Sequence, residues 1–414
     1  MDTSTASNIG PITITERIVD LDILRGLALF GILMVNIHYF CAPDAFYVQY
    51  FGKFSASFLN DAVFHVVNFL FAGKFYPVFS FLFGLGFFVQ FSKLQEKGIR
   101  ARAFFARRLT ILCFLGVMHV LFVWEEDILL FYGLFGFVLI YFVNCSSKQI
   151  LISAILTYAF VVFVAVFNNA FHFLPPKYSP FGTLESYMLF YRTASYWQIL
   201  QLRVVLYADK LFTIGGFIHH LDRLAFFLLG LYAGKANLIA KLSTQGSQWA
   251  RWWGVAFVFG ILGQALWLVL PATKPLLQRP ISVMMTGFFI PAQVFTYIAG
   301  VLLILKMPKP KKMLSMFAFP GRMTLTNYLL GTIIFSLLFN SYGLGLYGRL
   351  SPIHNMIVAI LFYIFQVIFS KIWLSYYSYG LLEWLWRCAT YWKILPLGKP
   401  AAQIVLPASL TCTE

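Results

Sequence analysis

The sequence predicts an all-α fold, a polytopic integral membrane bundle of about ten transmembrane helices plus interfacial helices. Three observations carry that expectation. Hydrophobic residues fill 60% of the 414 positions and charged residues only 11%, whereas a soluble domain carries roughly 25% charge because its outside faces water. The mean hydropathy is +0.78. The apolar residues also arrive in runs of about 17–25, long enough to cross roughly 30 Å of hydrocarbon. With no water there to satisfy backbone groups, such runs are helical.

In chain order the candidate spans are residues 23–40, 64–92, 109–124, 128–144, 150–174, 212–234, 254–270, 282–305, 324–341 and 353–373. They form a single transmembrane domain over residues 1–414. Residues 1–22 are its cytoplasmic N-terminal segment, 23–373 the membrane bundle, and 374–414 an interfacial helix and C-terminal tail. The first fifteen residues lack Lys and Arg, unlike the charged start of a signal peptide. Residues 174–211 mix aromatics with charges, including Tyr187, Tyr191, Arg192, Trp197 and Arg203, a pattern that suits an interfacial helix over the outer face. Residues 379–391 are amphipathic and are expected on the membrane surface.

Charge sets the orientation. The connector 93–108 holds six Lys and Arg, and 306–322 holds five. Alternating spans put both on one side, and the positive-inside bias makes that side and both termini cytoplasmic. The net charge of +16 therefore points to membrane lipids as partners rather than nucleic acid. Cys41, Cys113, Cys145, Cys388 and Cys412 are scattered and contain no CxxC pair, so neither a disulfide framework nor a metal site is expected.

Ionisable residues inside spans are costly and hence informative. In the first helix Asp22 and Arg25 stand three apart on one face. Asn36 lies eleven residues beyond Arg25, about 16 Å further along the same stripe, and His38 follows it. This is either a lined substrate path or an ion-paired helix end with an Asn as interhelical glue. His119 precedes Glu125-Glu126-Asp127 at a tight outer turn, and a His beside a carboxylate is the pairing of a general base. Packing or hydrogen-bond glue is the alternative for a lone membrane His. His220 and Arg223 sit in His219-His220-Leu-Asp222-Arg223, too few ligands for zinc and better read as a polar lining of an outer cavity. Gly230-Leu-Tyr-Ala-Gly234 reads as close helix packing. Arg322, at a helix start beside Lys309, Lys311 and Lys312, reads equally as a phosphate site or as a topology and lipid-headgroup determinant.

Several motifs are spread along the chain: Asp20-Leu-Asp22-Ile-Leu-Arg25-Gly26 running on to Asn36, Ser80-Phe-Leu-Phe-Gly84-Leu-Gly86, and the His119 and Asp127 pair. Gly321-Arg322-Met-Thr-Leu-Thr-Asn327-Tyr328 and Glu383-Trp-Leu-Trp-Arg387 follow. In this combination the chain resembles the YeiB family of bacterial inner-membrane proteins. The resemblance implies a distant likeness to transmembrane acyltransferases such as heparan-glucosaminide acetyltransferase. Those enzymes carry an Arg, ten residues, then Asn or His, which Arg25 and Asn36 match. The lysosomal enzyme has an essential His about eleven residues beyond its Asn; here that position is Tyr47, so His38 or His119 would substitute.

The resulting expectation is a membrane-embedded acyltransferase of the bacterial inner membrane. Cytoplasmic acyl-CoA or acetyl-CoA, bound by Arg25, Arg107, Arg108 and Arg322, would donate to an extracytoplasmic or lipid-linked hydroxyl or amine. His119, Asp127, Asn36 and His38 are the catalytic candidates, with Asp22, His220 and Arg223 on the acceptor path. The alternative is a transporter or exporter with an intramembrane polar relay. Association as a homodimer stays open.

Overall fold

The computed structural model describes residues 18–42, 46–171, 180–269, 283 and 285–399. Helices follow one another as α1 Val19–Tyr39, α2 Tyr47–Gly52, α3 Phe58–Val66, α4 Phe75–Glu96, α5 Ala101–Phe122 and α6 Leu129–Phe142. Next come α7 Ser147–Phe171, α8 Leu184–Thr193, α9 Tyr196–Phe212, α10 Ile214–Lys235, α11 Leu238–Thr244 and α12 Gly246–Val269. The chain continues with α13 Ile290–Ile304, α14 Pro308–Leu314, α15 Ala318–Arg322, α16 Thr324–Phe339, α17 Pro352–Tyr376 and α18 Leu381–Tyr391. Each of the ten expected spans contains a helix. Among the described residues, seven helical segments are long and apolar enough to cross a membrane; α14–α15 joined to α16 across a 74° bend would make an eighth.

The helix α6 has 14 residues, so it rises about 21 Å and falls short of the roughly 30 Å of hydrocarbon. Asp127 stands immediately before its first turn. The amphipathic pair α8 and α9 roofs it: Tyr196 donates to the Phe122 carbonyl at 3.0 Å, and Tyr191 to Glu125 at 2.9 Å. Lys210 pairs with Glu126. The expected outer interfacial segment is thus helical over α8 and α9, while its start lies outside the described residues.

Two close approaches set the frame. A Cβ on Gly84 of α4 would lie 2.0 Å from the Phe227 carbonyl, and one on Gly230 of α10 would lie 2.0 Å from the Phe81 carbonyl. These two glycines let the backbones touch, as the GxxxG pattern predicts. Gly26 of α1 and Gly321 of α15 do the same; their Cβ positions fall 1.9 Å from Phe317 O and 1.8 Å from Asp22 O. The bend before α16 is thereby locked against the first helix. Tyr363 of α17 adds a 2.6 Å bond to the Gly26 carbonyl.

Candidate active site

A cavity of about 280 Å³ lies between α1, α4, α5, α6, α15, α16 and α18. Its mouth is cationic: Arg25, Lys93, Arg108, Arg322 and Arg387 face Asp22 and Glu383, five positive groups against two negative, an excess of three. Arg25 Nη1 lies 2.7 Å from Asp22 Oδ1, so the expected pairing inside the bundle is present. The Arg108 guanidinium sits 3.8 Å from the centre of the Trp386 ring, whose Nε1 donates to the Arg108 carbonyl at 2.9 Å. The surface helix α18 is thus clasped to α5. It also holds α16, because the Glu383 carboxylate accepts from the backbone N–H groups of Leu325 and Thr326 at 2.6 and 3.1 Å and from the Thr326 hydroxyl at 2.5 Å. A carboxylate at a helix N-terminus satisfies donors that otherwise have no partner. Burial nevertheless pushes the Glu383 carboxyl above the ordinary carboxylate range, against the opposing effect of those hydrogen bonds.

Inward from the mouth the walls turn apolar, with Leu29, Ile32, Phe79, Phe83, Leu109 and Leu112, and the cavity reaches Ile128, Tyr132 and Tyr328. Ser80 fixes the Tyr132 hydroxyl at 2.8 Å. Behind Tyr328, whose ring is 5.4 Å from the His119 ring, lies a buried relay. His119 Nδ1 is 2.8 Å from Asp127 Oδ1, and His119 Nε2 is 2.9 Å from Thr332 Oγ1. All three residues are at most 4% exposed. Asp127 owes its position to helix capping: its Oδ2 accepts the Leu130 N–H at 2.8 Å at the start of α6, the bond an N-terminal Asp makes to free helix donors. With Asp127 ionised, Nδ1 carries the imidazole proton and Nε2 is the acceptor. The Thr332 hydroxyl then donates either to Nε2 or, after rotation, to the Leu329 carbonyl at 3.0 Å.

Thr332 also borders a second chamber of about 20 Å³, with Asn36, Asn327, Gln366, Phe40 and Phe335. The two cavities share Leu29, Ile32 and Tyr328 as walls, so the partition between them is one side chain thick. Asn327 Nδ2 bonds Ser370 Oγ at 2.8 Å and Gln366 Nε2 bonds the Asn327 carbonyl at 2.7 Å. Their oxygens Oδ1 and Oε1 have no partner among the described residues. Away from the mouth an aromatic cluster closes the chamber. Phe40 stacks on Trp124 with ring centres 4.1 Å apart and meets Phe335 at 5.6 Å.

The structure sorts the expected site residues into two groups. Asp22, Arg25, Arg108 and Arg322 meet at the mouth, Asn36 reaches the small chamber, and His119 joins Asp127. Four others stand apart. Arg107 is exposed and outside the cavity wall, because one residue along α5 turns it about 100° away from Arg108. His38, two positions and about 200° from Asn36, is fully buried and packs on Phe51 with ring centres 5.0 Å apart. His220 packs on Phe131 at 3.9 Å between rings, and Arg223 pairs with Asp222 at 3.2 Å over the Tyr76 ring; neither lines either cavity. Tyr47 packs on Phe51 at 4.9 Å. Conversely Lys93, Tyr132, Thr332, Glu383 and Arg387 belong to the site and were not singled out from sequence as site residues. Glu383 and Arg387 sat in the family-like tail, and Thr332 is one of few polar residues in the apolar run of α16.

Residues 233–393 match the model of a family described as a protein of unknown function, DUF418. That stretch supplies Arg322, Tyr328, Thr332, Glu383 and Arg387 to the site, and the segments before it supply the rest. The chain is similar to the uncharacterized protein YxaH of Bacillus subtilis (strain 168), at 30% identity over 95% of this chain and 99% of the relative. It is also similar to the uncharacterized 39.9 kDa protein in the amylase 3' region of Bacillus acidopullulyticus, 27% identical over 94% and 97%. The uncharacterized protein YeiB of Escherichia coli (strain K12) is 29% identical over 91% and 96%. With likeness running over nearly the full length of each chain, the protein belongs to the YeiB family of DUF418 membrane proteins.

Proposed function

We propose that the protein is an acyltransferase of the bacterial inner membrane, moving an acyl group from cytoplasmic acyl-CoA to an extracytoplasmic or lipid-linked hydroxyl or amine. One observation carries this reading: a single cavity joins a cationic mouth to the wall in front of a His–Asp–Thr relay. The phosphates of CoA match the mouth, since Arg pairs with phosphate through charge-assisted, often bidentate hydrogen bonds. The pantetheine arm occupies the apolar shaft. Arg108 and His119 are eleven residues apart on α5, about 16 Å, a span that an extended arm with its thioester end bridges. The relay supplies a base, and the Asn36 side chain is the donor for the oxyanion that forms when the carbonyl is attacked. Lys93, Arg108 and Arg322 all border the mouth, and the positive-inside bias gives that end, and both termini, to the cytoplasm. An exporter is the competing reading, and it requires a passage through the Phe40, Trp124 and Phe335 cluster that closes the far side.

The test is calorimetry on the purified protein in lipid nanodiscs. CoA and acetyl-CoA should bind in the micromolar range and weaken as salt rises, because phosphate contacts are screened. A protein that binds neither at millimolar concentration is not a CoA-dependent acyltransferase. In a cysteine-free background, Ser195→Cys should label from the outer face and Gln95→Cys should not; the reverse pattern overturns the orientation.

A further inference from the structure

His119 lines neither cavity. Both of its ring nitrogens are taken, Nδ1 by Asp127 at 2.8 Å and Nε2 by Thr332 at 2.9 Å. While Thr332 carries its free hydroxyl, a base nitrogen aimed at that hydroxyl cannot take a proton directly from an incoming acceptor. The hydroxyl it can activate is that of Thr332, which alone among the three relay residues borders a chamber. A hydroxyl held against an imidazole that is itself oriented by a carboxylate is the arrangement of an activated nucleophile.

Resting on the acyltransferase reading above, we infer that Thr332 is acylated during turnover, so that transfer proceeds in two half-reactions through an ester on this chain. In the first, the Tyr328 side chain, which walls both cavities, swings aside to admit the thioester, and Thr332 Oγ attacks its carbonyl carbon while the Thr332 proton passes to His119 Nε2. The C–S bond then breaks, and the departing CoA thiolate recovers that proton. In the second, the acceptor hydroxyl or amine gives its proton to Nε2 and attacks the Thr332 ester, and Thr332 Oγ leaves with the same proton. Atoms balance, and no oxidant or reductant enters. The orphaned oxygens of Asn327 and Gln366 in the chamber are acceptors suited to the O–H or N–H of the second substrate. Because the acyl group waits on the protein, donor and acceptor need not be present together.

The experiment needs no identified acceptor. Protein in nanodiscs is given carbonyl-labelled acetyl-CoA alone, and separately acetyl-CoA with isotopically labelled CoA. The expected results are a stoichiometric protein-bound acyl ester mapped by mass spectrometry to Thr332, and exchange of label into acetyl-CoA. Thr332→Val, which keeps the shape and loses the hydroxyl, should lose both signals to background while binding CoA as before; Thr332→Ser should retain both. If the wild type binds acetyl-CoA but shows neither ester nor exchange, the covalent step is wrong and the acyltransferase reading survives. Ester or exchange at the wild-type level in Thr332→Val likewise overturns Thr332. If acetyl-CoA does not bind at all, both inferences fall.

Discussion

The mouth and the relay are two polar regions in one apolar bundle, and they are built on opposite principles. The mouth gathers charges from five helices around one opening, some partly exposed like Arg25 and some buried like Asp22, so binding is shared among several residues. The relay uses three side chains from α5, the α5–α6 turn and α16, each at most 4% exposed, with every bond at 3 Å or less. In that low-dielectric setting a hydrogen bond is strong and a missing partner is expensive. A binding surface can be distributed, whereas a proton path has to be exact in its geometry and protected from water.

The contrast is sharpest at His119. His119→Ala should reduce the exchange between CoA and acetyl-CoA by about 10²–10⁴-fold, the usual worth of a positioned base, while CoA affinity stays near wild type. Asp127→Asn should cost less, since the imidazole remains and loses only its orienting charge. An equal loss of binding in His119→Ala would mean that the two regions are not separable.

Arg322→Ala should show the reverse pattern and a smaller effect. The CoA dissociation constant should rise about tenfold, equivalent to about 1.4 kcal/mol, with a shallower dependence on salt and little change in turnover at saturation. A turnover defect at saturating donor would instead tie the mouth to the chemistry.

The smallest effect concerns Glu383, which links the two regions by capping α16. Its carboxyl is held above the ordinary 4.5 by burial, so it binds its proton more tightly in the folded protein than in the unfolded one. Its contribution to stability is therefore full below that ordinary value and is lost as the pH rises through the folded value. Glu383→Gln stays neutral, so its melting temperature relative to wild type should climb as the pH increases from 4.5. A difference that is flat or falls with pH would show that the hydrogen bonds from Leu325 and Thr326 outweigh the burial.

Much of this architecture was legible in the sequence because it depends on local spacing. Hydrophobic runs located the helices, the three-residue step paired Asp22 with Arg25, and an acidic turn placed eight residues after His119 announced its partner. What escaped depends on packing between distant segments. Nothing at position 332 distinguishes a hydroxyl that meets an imidazole 213 residues away from one that merely bonds its own helix. Arg107 and Arg108 are equivalent as charges, and only the way α18 lays Trp386 on α5 decides which one faces the cavity. His38, His220 and Arg223 lie outside both cavities for the same reason: polarity was visible, but the direction of each side chain was set by aromatic neighbours such as Phe51, Phe131 and Tyr76.

The aromatic closure beyond the small chamber has an electrical consequence. In the proposed orientation the cavity opens to the cytoplasm and carries the potential of that compartment into the bilayer, so the transmembrane voltage would drop mainly across the layer containing Phe40, Trp124 and Phe335. Each elementary charge crossing the whole field is worth about 2.3 kcal/mol per 100 mV, and here most of that work would be concentrated in a few ångströms. In that orientation the layer would be the dielectric that keeps an energised membrane from discharging through a protein hollowed from one side.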